Sequence, residues 1–267
     1  TLAPNTLSNV WVVQNSAGDT VTLTAGTGAN VVIPNGGIRM VATDGAGSGA
    51  AVTDVLDVLG GTGNVGLGSG AFGTGLTTGT NNVAIGENSG DALTSGADNT
   101  FVGDNAGGAT TTGTNNVAVG SAALDGNTTA SDNVAIGINA LGASNTSANN
   151  VAIGSGAMDA NTSGSGVAVG KDALGANTTG GSNTAVGYAS LTANTTASNN
   201  VGIGASALAT NTTGAQNTAV GQGALTTNST GSHNTGLGRS ALLSATTADY
   251  NTAVGSGALD TTTTGAQ

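Results

Sequence analysis

Cysteine is absent from the 267 residues, and charged side chains make up only 6% of them. Without cysteine there is no disulfide framework, no thiolate nucleophile and no sulfur ligand for a structural zinc. Three Lys and Arg face fourteen Asp and Glu, a net charge of −11 that repels phosphate backbones and argues against nucleic-acid binding. Aromatics account for 2% of the chain and proline for two residues. A compact globular domain carries about a quarter charged residues and far more large apolar side chains. No uninterrupted apolar run reaches the roughly eighteen residues of a helical membrane span. The first residues also lack the basic cluster and apolar stretch of a secretory signal. What the chain does have is glycine, 48 of them.

Twelve of those glycines mark a repeat: Gly68, Gly86, Gly103, Gly120, Gly137, Gly154, Gly170, Gly187, Gly204, Gly221, Gly238 and Gly255. Nine of the eleven intervals are seventeen residues; the first is eighteen and that from Gly154 to Gly170 is sixteen. A unit this short cannot be a domain. It is one rung of a stack that hides its apolar surface against its neighbours. Disordered chains do not hold such spacing.

Aligned on the marker glycine, the copies show what each position accepts. Val, Ile or Leu always precedes it, Ala or Gly stands two before it with Phe101 the one large exception, and Val or Thr three before. Asn stands four before it in eleven copies, with Gly166 the exception. After the glycine come two variable residues, a small one and usually Leu, as in Ala123-Leu124 and Ala207-Leu208. A turn often written N-T-T-G closes the copy, as at Asn177 to Gly180. The segment N-(V/T)-A-(V/I)-G alternates with period two, so it reads as a β-strand with Val and Ile on one face and Ala or Gly on the other. The larger face is expected inside the stack, burying Ile85, Ile136, Ile153 and Ile203 together with Leu141. Asn88, Asp104, Lys171 and Gln222 are expected to face solvent. The Ala/Gly row (Ala118, Ala135, Ala152, Ala185, Ala219) is expected to pack against something else. Successive strands about 4.8 Å apart make a rod of roughly 50–55 Å.

Residues 1–60 read differently. Five short strands are expected, around Val10–Val13, Val21–Thr24, Val31–Ile33, Ile38–Thr43 and Val52–Val58. Turn signals such as Pro34-Asn35-Gly36-Gly37 and Asp44-Gly45 separate them. The fold class is therefore all-β: a small N-terminal β-module over 1–60, then a β-solenoid over 61–267 with twelve copies of about 17 residues per coil. The final Thr264-Gly265-Ala266-Gln267 echoes Thr213-Gly214-Ala215-Gln216, after which a further copy would begin, so the solenoid reads as truncated at its C-terminal end.

Chemistry is sparse. The lone His233 sits where other copies have Asn81, Asp98, Asn115, Gln216 or Tyr250, a tolerant turn position. The acidic residues are spread singly, for example Asp104, Asp125, Asp159 and Asp172, without the recurring close pair of a glycosidase. Asp54 and Asp57 read as solvent-facing strand residues. The nine-residue G-G-x-G-x-D array of calcium β-rolls is missing. A phosphate-binding loop needs a strand, a helix and a nearby Lys, and Lys171 is the only lysine. Asn127, Asn161, Asn177, Asn194 and Asn211 match a glycosylation triplet but read as turn residues. Threonines cluster in the N-T-T-G turns, not in the strand-borne ladder of an ice-binding face. Val-Gly-x-x-Ala-Leu resembles one hexapeptide of an acyltransferase β-helix, but those helices carry three per coil and a catalytic His. No catalytic, cofactor-binding or metal site is assigned.

The stretches N-N-V-A-I-G-E-N-S (81–89) and N-N-V-A-I-G-S-G-A (149–157) resemble the N-S-V-A-I-G-x-x-A motif of trimeric autotransporter adhesin heads. The likeness covers about residues 61–267. It implies a parallel homotrimer of stacked coils; the Ala/Gly row, as the second face in need of burial, is expected to face the threefold axis. The coil here is longer than is usual for that family, and residues 61–267 contain no stretch that reads as an anchoring segment or coiled-coil stalk. N-T-A-V-G-x-x-A-L-x-x-N-T-T-G arrays are also similar to those of bacteriophage tail fibres. Residues 30–45 (N-V-V-I-P-N-G-G-I-R-M-V-A-T-D-G) resemble a small β-module of such fibres.

These resemblances imply a non-enzymatic virion protein, the shaft of a trimeric tail fibre that extends the host-recognition device from the particle. Its partners would be two identical chains and, through the N-terminal part, other tail or baseplate proteins. The host surface would be met by a distal region, with no cofactor, nucleic acid or membrane insertion. So few aromatic rings suggest a spacer without a tight receptor site in 61–267. The alternative is the head of a bacterial trimeric adhesin at the cell surface.

Overall fold

A computed structural model describes residues 10–14, 19–23, 31–33, 38–43, 52–59, 63–73, 75–143, 146–261 and 263. Strands β1 (Val10–Gln14), β2 (Val21–Leu23), β3 (Val31–Ile33), β4 (Ile38–Thr43) and β5 (Val52–Leu59) fall within a residue of the sequence expectation. β1, β4 and β5 form an antiparallel sheet and β2 pairs with β3 in a hairpin. β5 then pairs antiparallel with β6 (Asn64–Leu67), matching Leu59 to Asn64 and Asp57 to Gly66. The N-terminal module and the solenoid thus share one sheet, and β5 covers the edge that the first rung would leave open.

From β6 to β17 (Thr252–Val254) every neighbour is parallel and in register. Each strand contributes one rung, so Ala118, Ala135, Ala152, Ala168 and Ala185 lie side by side through consecutive pairings. The one-residue deletion after Gly154 is absorbed before β12 (Gly166–Val169), which pairs in register with both neighbours. No helix occurs among the described residues, so none is long and apolar enough to cross a membrane.

Turns are tight because three positions per rung adopt left-handed backbone. They lie two, four and twelve residues after the marker glycine, for example Asn139 (φ 53°), Leu141 (φ 54°) and Asn149 (φ 60°). Asn tolerates this region, whereas a Leu there costs on the order of 1 kcal/mol. The Leu is retained because the bend drives its side chain into the core: Leu124, Leu141, Leu174, Leu191, Leu208, Leu225 and Leu242 are all fully buried. The marker glycine has a separate reason. At Gly137 (φ 132°) a Cβ would lie 2.6 Å from the carbonyl of Gly154 on the next rung, so no side chain fits between successive corners.

The core corrects one sequence expectation. Ala84, Ala118, Ala135, Ala152, Ala185 and Ala219 are completely buried inside the solenoid, packed with the Leu column. The Ala/Gly row therefore does not face an external axis. Ile85, Ile136, Ile153 and Ile203, expected inside, are 37–39% exposed. The physical reason is width. A 17-residue coil with three tight bends leaves an interior that one Leu and two Ala per rung fill, the second being the Ala of Ala123, Ala140 and Ala207, and a branched side chain in the Ala row would overpack it.

Candidate functional site

With Ala inside, the strand positions three and one before the marker glycine point outward and form two columns along one flat sheet face. Over β6 to β17 these 24 side chains comprise 19 Val, Ile or Leu and five Thr, with no charge. Examples are Val134 and Ile136, Val151 and Ile153, and Thr235 and Leu237, each pair flanking a buried Ala or Gly. Of the apolar ones, Leu67, Leu237 and Val254 are the most exposed at 41%, 45% and 66%. Twelve rungs give a strip about 55 Å long and about 10 Å wide. Its projected area, on the order of 550 Å², reaches the upper end of what monomers leave uncovered.

Behind this face, polar groups are placed with unusual economy. The Asn four residues before the marker glycine is buried in every copy that has it, from Asn64 to Asn251. The side-chain oxygen of Asn82 accepts from the backbone N–H (2.9 Å) and Nδ2 (3.0 Å) of Asn99 on the next rung. Asn82 Nδ2 also donates to the Gly96 carbonyl at 2.9 Å. Most of these amides stitch their own strand to the turn beyond it, while Asn150 and Asn251 donate to the Ala148 and Asp249 carbonyls of the preceding turn, which satisfies groups too costly to bury unpaired. Gly166 interrupts the ladder; its N–H still donates to Asn150 Oδ1 at 2.9 Å.

A second ladder uses the Asn of the N-T-T-G turns. Asn177, Asn194, Asn211 and Asn228 are buried, each Nδ2 donating to the Oδ1 one rung earlier at 2.9–3.1 Å. The triplets at Asn127, Asn161, Asn177, Asn194 and Asn211 are therefore turn residues, but they point inward where no glycosyltransferase could reach. This ladder stops at Asn228, whose buried Oδ1 meets no donor, because the next rung offers Ala245 in place of Asn. The threonines beside these asparagines spend their hydroxyls on the stack: Thr162, Thr178 and Thr212 donate to the carbonyl one rung on at 3.0 Å.

His233 is exposed, as expected of a turn surface, and its ring stacks parallel on Tyr250 at 4.7 Å, the spacing of the rungs themselves. Asp125 is half-buried, and burial first, then the nearby Asp104, raises its pKa above the ordinary carboxylate value. Asp159 is shifted in the same direction by burial and by Asp172. Lys171 pairs with Asp172, which raises the lysine pKa. Asp54 and Asp57 lie on β5, and only their backbone pairing is described. Among the described residues no three His, Cys, Asp or Glu come together as a metal-binding group.

No family model matches the chain, and no curated protein or solved structure is similar to it.

Proposed function

We propose that this chain is a shaft segment of a multi-chain fibre, a homotrimeric virion tail fibre that holds a host-recognition device away from its particle. The observation that carries this reading is the uncharged strip of Val, Ile, Leu and Thr along the sheet face. An uncharged, continuous patch at the upper end of what monomers expose is often an interaction surface. Its chemistry repeats at the rung spacing over twelve rungs, so only a partner with the same axial repeat can cover it in register. A second copy of the chain has that repeat by construction. Closed cyclic assembly then buries the strips of all copies around one axis, and the number three follows from the adhesin-like and fibre-like repeats.

A stack of parallel rungs crosslinked by two asparagine ladders suits a load-bearing spacer. In this reading the chain is not an enzyme, and the N-terminal sheet joins the shaft to the remainder of the fibre or the particle. Antibodies raised against the chain should decorate particle tails in electron micrographs, and the purified chain should weigh three times 24.8 kDa in solution. Labelling confined to a bacterial envelope would support a cell-surface adhesin instead, and a monomeric mass would overturn the fibre assembly.

A further inference from the structure

The residue just after each marker glycine projects from the rod, and these residues form a column with one member per rung. Backbone bonds fix the sequence: Ala189 N donates to Lys171 O, Ser206 N to Tyr188 O, Gly223 N to Ala205 O and Ser240 N to Gln222 O, all at 2.9–3.0 Å. The column therefore reads Lys171, Tyr188, Ala205, Gln222 and Arg239 along the axis. It gathers two of the three basic residues of an otherwise acidic chain.

Lys171 Nζ lies over the Tyr188 ring, 5.8 Å from its centroid, so one ring face looks back along the column and the other looks forward. The forward neighbour is Ala205, a single methyl group. The next side chain able to rise from the surface is Gln222, exposed and two rungs from Tyr188. Two rungs span about 9.5 Å, and the neighbouring His233–Tyr250 stack measures one rung at 4.7 Å. Tyr188 is itself 58% exposed. Tyr188 and Gln222 thus flank Ala205 across a slot about 9.5 Å from rung to rung, wide enough for one saturated six-membered ring and its van der Waals contacts.

We infer that this slot binds a hexopyranose unit of a glycan. The C–H face of the sugar stacks on Tyr188, where aromatic rings favour apolar contact. Its hydroxyls meet the Gln222 amide, which both donates and accepts, and Arg239 one rung further holds an acidic substituent where the sugar carries one. A shallow site on one face binds in the millimolar range, and several copies on one fibre multiply the effect. The His233–Tyr250 stack covers one face of each ring, and the rung that would wall the far face of Tyr250 lies outside the described residues. The slot lies within one chain and does not depend on assembly or on the fibre reading.

Saturation-transfer NMR on the full chain, with cellotetraose as the neutral probe and tetragalacturonate as the acidic one, tests the site. At least one should show transfer, with its sugar C–H protons strongest. Tyr188→Ser and Ala205→Leu should each weaken that binding at least tenfold, whereas Tyr250→Ser should leave it unchanged. Tyr188→Ser uses a side chain the column already holds at Ser155, and Ala205→Leu one of the same volume as the exposed Ile138 at that position. No transfer from either probe, or equal binding by all variants, overturns the inference.

Discussion

The ring of Phe101 lies across the Cα of Gly107: a Cβ there would come within 2.6 Å of it, and one on Gly90 within 2.9 Å. Phe101 stands in the Ala row, and Gly90 and Gly107 stand where most rungs have the buried Leu. One phenyl ring replaces two missing Leu side chains. The pairing is steric and not conformational, because Leu in the other rungs adopts the same left-handed backbone as Gly107 (φ 61°).

Gly107→Leu alone should overpack this site and cost about 1–3 kcal/mol. Phe101→Ala alone should leave a cavity and cost about 3–5 kcal/mol. The triple variant with Gly90→Leu, Gly107→Leu and Phe101→Ala restores the pattern of the other rungs and should recover most of the loss. Urea unfolding of the four proteins measures the coupling. Additive costs would show that the three positions do not share one space.

The asparagine ladder gives a prediction in both directions. Asn133 lies mid-ladder, buried, and accepts from the backbone N–H of Asn150 at 3.0 Å. Asn133→Ala should remove that acceptor and cost about 1–3 kcal/mol. Ala245→Asn should instead present a donor to the orphaned Oδ1 of Asn228 and extend the turn ladder by one rung. A gain of about 1 kcal/mol is expected. A loss would mean that the rung of Ala245 does not repeat the geometry of the rungs before it.

Period, strand positions and the buried Leu column could be read directly, because they depend on spacing and on residues such as Leu141 that have only one place to go. Which strand face points inward could not be read from alternation, which defines two faces without ordering them. Ranking the faces by hydrophobicity put Ile85 and Ile153 inside; the narrow coil reverses that order by admitting only Ala or Gly beside Leu. A clue was present in Phe101, the one large residue in the Ala row, which occurs beside two rungs that lack Leu. The turn asparagines were placed correctly in turns, but their burial was not legible. Asn177 and Asn211 read as ordinary turn polarity, although their recurrence one rung apart is what a buried amide ladder requires.

Asp125 gives a pH dependence. Its raised pKa means that the folded chain holds the proton longer than the unfolded one. Below the unfolded value of 3.8 the carboxyl is neutral in both states and contributes nothing. As pH rises from there through the folded value, the unfolded state ionises first, so stability falls and stays lower at neutral pH. Asp125→Asn should therefore stabilise the protein at pH 7, with the advantage closing as pH drops towards 3.8. Thermal melts of both proteins between pH 3 and 7 test this, and an advantage independent of pH would point away from the carboxyl charge.

The inverted strand faces separate folding from assembly. Ile153 is 37% exposed on the outward strip, while the adjacent Ala152 is completely buried. Ile153→Lys places a charge on a face that carries none, yet leaves the interior untouched. The chain should fold, with an unchanged β-type circular dichroism spectrum, but lose its self-association through like-charge repulsion around the shared axis. Ala152→Leu should do the reverse. The added volume overpacks the space that Leu141 and Met158 already fill, so unfolding should become easier by about 1–3 kcal/mol or more. Any protein that still folds should associate normally. Sedimentation equilibrium combined with urea unfolding distinguishes the two effects. If Ala152→Leu abolished association without altering stability, or Ile153→Lys left the assembled mass unchanged, the outward strip would not be the contact surface between chains.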